Sequence, residues 1–442
     1  MLEYNMNDSK ITALLWGLTK ANYAIPNMAT VSCSPMYDCI RNVTGAMAAD
    51  IVASECLSIG KCFGWANCPP TGKYQGGYVV APVRGIHDSV AVCDFSSMYP
   101  TIMMGVNISP DSVLPQTESI RSEGAVTWDG KSAAVVCSGK VIRFSNVTQS
   151  VIPKVLRKLV DERKRHRAKF PNYANALKVA ANSIYGSLGY EFSPLYSPSC
   201  SAATTAYGRW CLSLSICIFE KCGLSVLYGD TDSCFLTRTA VTGSKYGGDL
   251  RLHCNAALRV LKNILMFTPF RDMDMCLEDV HERVLLLEKK NYAYMSRSGD
   301  ARYKGISAAR KDALGICRKV SKCTVDMILN GGVSTDTKSA IALMYATALD
   351  SCALGSLALA DVSKVIRSEG GNCYSYIDFN GNKKDVRVED ASPDSIVRYS
   401  KSEVATRITR EITRYTSAAG LGGATDIMWW CPVFESLGIS NR

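Results

Sequence analysis

The stretch VAVCDFSSMYPTI (residues 90–102) climbs through small and β-branched residues to Asp94 and is broken soon afterwards by Pro100. Proline cannot donate to a sheet ladder, so a buried strand ends near Asp94 and delivers an acid at its tip. Such an acid is either a helix N-cap or a ligand. A second stretch, LSVLYGDTDSCFL (224–236), reads as strand, tight turn, strand, with Asp230 and Asp232 near the apex. The two acids converge on one site if the turn breaks strict strand alternation; otherwise they are turn formers in a solvated loop. Like charges on apolar strands destabilise a fold unless a cation neutralises them. Three carboxylates suit Mg²⁺ better than Zn²⁺. Two such ions about 3.5–4 Å apart would activate an attacking hydroxyl and stabilise a leaving phosphate. The acids therefore point to phosphoryl chemistry without naming a substrate.

Between them lie two helical patterns rich in phosphate-binding groups. Pro153 to Lys169, PKVLRKLVDERKRHRAK, is a strongly basic helix on which Arg163 and Arg167, four apart, share a face. In LKVAANSIYGSLGY (177–190), Lys178, Asn182 and Tyr185 recur at i, i+4 and i+7, and the spacing predicts a helix over 175–185 ended by Gly186. The pair could clamp a triphosphate, or both could present ordinary solvated faces.

The chain has 442 residues, 47% hydrophobic and 20% charged, which excludes a disordered tail, a collagen or a coiled coil and leaves room for about three domains. Fifty Lys and Arg against 40 Asp and Glu give a net charge of +10, which invites a polyanion but also merely confers solubility. Nineteen cysteines without a CxxC pair, beside only four histidines, disfavour a zinc ribbon or a disulfide framework. Free, mostly buried thiols and a reducing, intracellular compartment are expected. The opening MLEYNMNDSK is no signal peptide. The apolar run 340–360 carries Asp350 at its centre and reads as a buried helix pair rather than a membrane span.

Residues 1–73 combine helical periodicity (Ile11 to Tyr23) with the linker-like exit GKCFGWANCPPTGKYQGG, so a boundary falls near Tyr74. GYVVAPVRGIHDSVAVCD (77–94) is strand-like on either side of a Gly turn, and short strands follow between Ala125 and Phe144. After Asp312 the pattern becomes that of a separate, more helical module with one hairpin, YSYIDFNGNKKDVRV, turning at Asn380-Gly381.

Taken together, DFSSMYPTI, KVAANSIYG and YGDTDS, in that order, resemble motifs A, B and C of the family B DNA polymerases. YQGG (74–77), KKNY (289–292) and KGISAARKD (304–312) extend the resemblance over residues 74 to 312. It implies an α+β right-hand fold. An antiparallel-sheet palm would come from 74–150 and 196–312, helical fingers from 151–195 and a mostly helical thumb from 313–442. It implies template-directed addition of dNTPs to a primer 3′-hydroxyl with two Mg²⁺ ions. Asp94, Asp230 and Asp232 would be the catalytic acids and, with the carbonyl of Phe95, the metal ligands. Tyr99 would be the steric gate against a 2′-hydroxyl, beside Ser97 and Met98. Arg163, Arg167 and Lys178 would hold the triphosphate, and Asn182 and Tyr185 would line the nascent base pair. Tyr74, Gly76 and Gly77 would meet the template; Lys289, Lys290, Tyr292, Lys304, Gly305 and Arg310 would track the primer-template backbone, accounting for part of the +10.

There are departures. Met98 stands where the family usually has Leu, Asn291 replaces a basic residue, and Lys311 replaces an Arg, keeping charge but not the bidentate fork. The family's exonuclease domain is represented only by YNMND (4–8), whose Tyr4 and Asp8 resemble its last motif or are plain helix-surface residues. One acid cannot hold two metals, so residues 1–73 are expected to be a residual exonuclease end and linker, without intrinsic proofreading. A processivity factor or a separately encoded exonuclease portion would be partners, and the nucleus or a viral replication site the location. The rival reading is a non-catalytic DNA-binding fragment or scaffold derived from a polymerase.

Overall fold

The computed structural model describes residues 2–18, 21–41, 44–62, 74–118, 122–239, 249–296, 298–310, 313–367, 374–377, 383–386, 394–399 and 401–423. The chain opens with four helices, α1 (Leu2–Leu18), α2 (Ala21–Ser32), α3 (Met36–Arg41) and α4 (Thr44–Ser58). Strands β1 (Val79–Val80) and β2 (Gly85–Phe95) lead into α5 (Met98–Gly105), and β3 (Thr117–Glu118), β4 (Val126–Trp128), β5 (Ser132–Cys137) and β6 (Lys140–Ser145) follow. Then come α6 (Val151–His166), α7 (Pro171–Gly189) and the long α8 (Pro198–Lys221). The hairpin β7 (Leu224–Asp230) and β8 (Ser233–Arg238) precedes α9 (Leu250–Leu265), β9 (Met275–Glu288), β10 (Asn291–Met295) and β11 (Ala301–Lys304). The last part holds α10 (Gly315–Gly331), α11 (Thr335–Ala353), α12 (Leu359–Val362), β12 (Ser363–Arg367), β13 (Tyr374–Ile377), β14 (Lys383–Val386), β15 (Asp394–Arg398) and α13 (Lys401–Ala418).

The central sheet runs β1-β7-β8-β2-β9-β10-β11, every pairing antiparallel. Strands β1 and β2 flank the expected turn but do not pair with each other: β1 takes the outer edge of β7, and β2 lies in the middle between β8 and β9. The short strands at 117–145 stay out of this sheet and make their own, in the order β3-β6-β5-β4. Helices α5, α8 and α9 cover one face around a core that includes Phe95, Ile102, Tyr207, Phe219 and Phe270.

Strand alternation on β9 divides two further cores. Leu285 and Leu287 join Ala293 and Met295 against α10, α11 and α13, whereas Val284 and Leu286 face Tyr228, Phe235 and Tyr292. The helical C-terminal part is thus not separate in its packing; it shares its core with the sheet. Of the run 340–360, residues 340–353 belong to α11 and Leu359 opens the short α12. Ile341, Tyr345 and Leu349 are buried on one side, and Asp350 is exposed on the other. Among the described residues no helix is long and apolar enough to cross a membrane. The hairpin β13–β14 pairs as the sequence suggests, although Asn380-Gly381 itself lies outside the described residues.

Helix α7 continues past Gly186 to Gly189. Glycine lowers helix propensity by only about 1 kcal/mol, and burial of Ser187 and Leu188 in the last turn outweighs it. Of the sixteen cysteines described, nine are buried and all are free.

Candidate active site

Strand β2 carries Asp94 between Ser233 of β8 and Cys276 of β9, at the centre of the sheet. The next residue, Phe95, donates its N–H to the Asp232 carbonyl at 2.9 Å, and Ser96 donates to Asp274 at 2.8 Å. The tip of β2 is thereby fastened to both neighbouring loops. In the β7–β8 turn, Thr231 takes φ +63°, a left-handed conformation that breaks alternation. The outcome is that Asp230 and Asp232 part company. Asp232 lines a cavity with Asp94, while Asp230 stays outside it, accepting from Thr231 Oγ1 at 3.1 Å and Tyr228 OH at 3.3 Å, with Lys290 Nζ at 3.6 Å.

Four further acids line the cavity, Asp161, Asp272, Asp274 and Glu278. Between Val92 and Cys93 the β2–β9 register slips, and Glu278 is the extra residue of the resulting bulge, lining the cavity beside Asp94 and Asp232. Bulges re-aim side chains in this way. The electrostatics follow. Burial, then the Asp232 and Glu278 charges, push the Asp94 carboxyl up to about 7 against the opposing pull of Lys178. Burial pushes Asp232 up as well, with Asp230 and Glu278 adding to it and its own backbone N–H and Lys178 opposing.

The cavity encloses about 1020 Å³, and basic groups line it as well: Arg157, Arg163, Lys164 and Arg167 at α6, Lys178 from α7 and Lys262 from α9, the last with its Nζ 3.6 Å from Asp274. Asn182 and Tyr185 line it one and two turns along from Lys178, as their spacing requires. Ser97, at the N-terminus of α5 with φ +55°, accepts from Arg163 Nη1 at 3.1 Å. Met98 lines the same cavity while almost wholly buried.

Tyr99 forms the floor. Its ring lies 4.3 Å from that of Tyr185, centroid to centroid, and burial, then the Asp232 charge, push its hydroxyl up to about 12. Glycine is required beside it, since a Cβ on Gly77 would fall 2.8 Å from Thr231 Oγ1 and 3.1 Å from Tyr99 OH. Burial first, with the Tyr74 and Tyr99 hydroxyls beside it, pushes the Tyr185 hydroxyl up. Arg209, on α8, donates to the carbonyls of Gln75 and Gly76 at 2.8 and 2.9 Å, fixing the loop that holds Tyr74, Gly76 and Gly77.

The six remaining expected residues gather at one end of the sheet. Lys289 and Lys290 form the β9–β10 turn, Tyr292 pairs with Lys304, and Gly305 packs so closely that a Cβ would meet the Lys290 carbonyl at 2.1 Å. Lys289, Lys290, Lys304, Gly305 and Arg310 are exposed, whereas the Tyr292 ring packs at 5.1 Å against Phe235. Lys311 lies outside the described residues, as do the side chains of Tyr4 and Asp8, which sit on α1.

A hard divalent cation fits the acid side of the cavity: half-buried carboxyls held above their ordinary range are short of positive charge. Among the described residues no three such side chains are grouped closely enough to hold a metal by themselves. Two carboxylates completed by substrate phosphates is the usual arrangement for Mg²⁺. Sequence reasoning missed Arg157, Asp161, Lys164, Arg209, Lys262, Asp272, Asp274 and Glu278; the Glu-Asp pair of CLEDV, on the strand that leads to KKNY, was a signal for the last.

The sequence model described as DNA polymerase family B matches residues 1–353. A DNA polymerase of Archaeoglobus fulgidus is 28% identical over 346 residues, 74% of this chain and 40% of that protein. The DNA polymerase alpha catalytic subunit of Leishmania donovani is 27% identical over 60% of this chain and 21% of its own length. The chain thus spans less than half the length of these curated relatives. The family B DNA polymerase of Pyrobaculum calidifontis shares the fold, with a TM-score of 0.63 at 21% identity over 90% of this chain and 54% of that one.

The crowded acids generate a stability prediction. A carboxyl raised in the folded state contributes stability that is fully present below its unfolded value near 3.8 and is lost as pH rises through about 7. Asp94→Asn removes that loss. In metal-free buffer its Tm should exceed wild type by a few degrees at pH 8 and by less at pH 5, each kcal/mol moving Tm roughly 2–4 °C. Scanning fluorimetry at both pH values measures the difference.

Proposed function

The chain belongs to DNA polymerase family B, and from that premise we propose that it extends a primer 3′-hydroxyl on a DNA template, using dNTPs and releasing pyrophosphate. The observation that carries this reading is a single cavity lined both by Asp94 and Asp232 and by Arg163, Arg167 and Lys178. Asp94 and Asp232, helped by the Phe95 carbonyl and with Asp230 and Glu278 adding negative field, would hold two Mg²⁺ ions. When bound, these ions neutralise the acids, favour the ionised primer hydroxyl and stabilise the departing pyrophosphate.

The chain's own residues supply the rest. Arg163, Arg167 and Lys178 bind and orient the triphosphate, so that the α-phosphorus faces the primer oxygen in line with the leaving bridge oxygen. The new O–P bond forms as the α–β bridge breaks. Asn182 and Tyr185 border the base, with the Tyr99 ring packed against that of Tyr185. Tyr74, Gly76 and Gly77 meet the template, positioned by Arg209. Lys289, Lys290, Lys304 and Arg310 contact duplex phosphates, with Tyr292 and Gly305 shaping the turn that presents the lysines; these contacts set affinity rather than sequence preference.

Primer-template DNA and dNTPs are the proposed ligands, with a processivity factor or an exonuclease portion as further partners at a nuclear or viral site of replication. Excision is not assigned to this chain, because Asp8 is the single acid of the YNMND segment.

Primer extension tests the proposal. With Mg²⁺, wild type should extend a primed template, and Asp94→Ala or Asp232→Ala should lower kcat by at least roughly 10²–10³-fold, the scale of removing one preorganised charged group. DNA affinity should persist in both, which also separates catalysis from a DNA-binding scaffold. Equal extension by either variant and wild type rules out the assignment.

Sugar selection rests on sterics. Removing the Tyr99 ring should open space for a 2′-hydroxyl without disturbing the acids. Tyr99→Ala should then shift the ribo-to-deoxynucleotide ratio of kcat/KM by roughly 10–200-fold, the range available to a steric pocket. An unchanged ratio in an active variant would make Tyr99 a packing residue.

A further inference from the structure

Helix α6 carries Arg163 and Arg167 over the cavity, and its other face is held by a group remote from any proposed chemistry. Glu55, on α4, is 7% exposed, yet it is charged. Lys154 Nζ lies 2.8 Å from its Oε1 and Lys158 Nζ 2.5 Å from its Oε2. The two lysines stand one turn apart on α6, so a single carboxylate spans a turn of that helix. Nine residues, about two and a half turns, separate Lys154 from Arg163, which puts the lysines and the arginine on opposite faces. Burial pushes the Glu55 carboxyl up, and the two lysines more than offset it, holding the group below its ordinary value.

α6 has a second tie, Arg157 to Asp272 at 3.3 Å, but those side chains are 45% and 50% exposed. Ion pairs of that kind are screened and contribute little. A buried carboxylate is screened far less, and removing one partner leaves the others short of a counter-charge. Helices α2 and α4 also pack on α7, so the N-terminal helices form a back wall for the whole α6–α7 pair.

We infer that Glu55 is a positioning residue for the nucleotide site: by pinning Lys154 and Lys158 it fixes the rotation and height of α6, and so where Arg163 and Arg167 meet the triphosphate. The inference rests on the polymerase reading. A small misplacement of a binding group costs up to about 10²-fold, so an effect near tenfold is expected.

The test uses the whole chain with a primer-template, comparing wild type, Glu55→Gln, Glu55→Asp, the Lys154→Gln/Lys158→Gln pair and the triple variant combining that pair with Glu55→Gln. On a dideoxy-terminated primer with Mg²⁺, the Kd for the next correct dNTP is measured by calorimetry; on an extendable primer, kcat and KM. Glu55→Gln should raise Kd and KM about tenfold while changing kcat less than about threefold and leaving DNA affinity alone. Glu55→Asp should recover part of the loss. The lysine pair should match Glu55→Gln, and the triple variant should be no worse than either, because interacting residues are non-additive. Wild-type Kd and KM in Glu55→Gln, or additive losses in the triple variant, would overturn the inference. Should Glu55→Gln fail to fold, the lysine pair decides alone, its side chains being 38% and 60% exposed. A wild type that neither binds dNTP nor extends a primer would sink the polymerase reading, and the inference with it.

Discussion

Burial of the carboxyls of Asp94 and Asp232 in one cavity is the constraint around which the molecule is arranged. The sheet brings two half-buried carboxyls to one cavity, where burial first, and nearby negative charge including Glu278 second, raises both above their ordinary range. Nothing in the packing requires this. An apolar or amide residue at either position would suit the fold better, which is the usual signature of a site where stability is given up for function. The acids are tolerable in part because Lys178 opposes their charge.

Everything nearby serves to hold that geometry. The Phe95 N–H bonded to the Asp232 carbonyl locks the two strand tips together through backbone, leaving the side chains free. Thr231 in its left-handed conformation turns Asp230 away to Lys290, so that two strong charges face the cavity from this hairpin and strand rather than three. Helices α6 and α7 stand on the N-terminal helices, with Glu55 as the buried contact that reaches through to the arginines. Tyr99 lines the same cavity, and two glycines, Gly77 and Gly208, leave the room its ring occupies.

Periodicity made much of this readable in advance. Lys178, Asn182 and Tyr185 share a face because a helix repeats every 3.6 residues, and Asp94 falls near the end of a strand as expected, although β2 ends at Phe95 and Pro100 sits within α5 rather than at the break. What periodicity cannot express stayed hidden. Glu278 reaches the cavity through a one-residue register slip, and a strand pattern with a strict period of two gives no sign of it. The separation of Asp230 from Asp232 depends on the backbone angle of Thr231. Gly186 looked like a helix end because local propensity was weighed without the burial of Ser187 and Leu188. Arg209 and Glu55 are long-range partners, and a single sequence does not disclose which distant loop or helix a charged residue will meet.

The most direct measurement is a crystal structure of the chain with a dideoxy-terminated primer-template, an incoming dNTP and Mn²⁺, with the metal located by anomalous scattering. Manganese should appear between Asp94 and Asp232, with the triphosphate contacting Arg163, Arg167 and Lys178. A bound dNTP whose manganese touches neither aspartate, or a triphosphate seated away from those three basic residues, would contradict it.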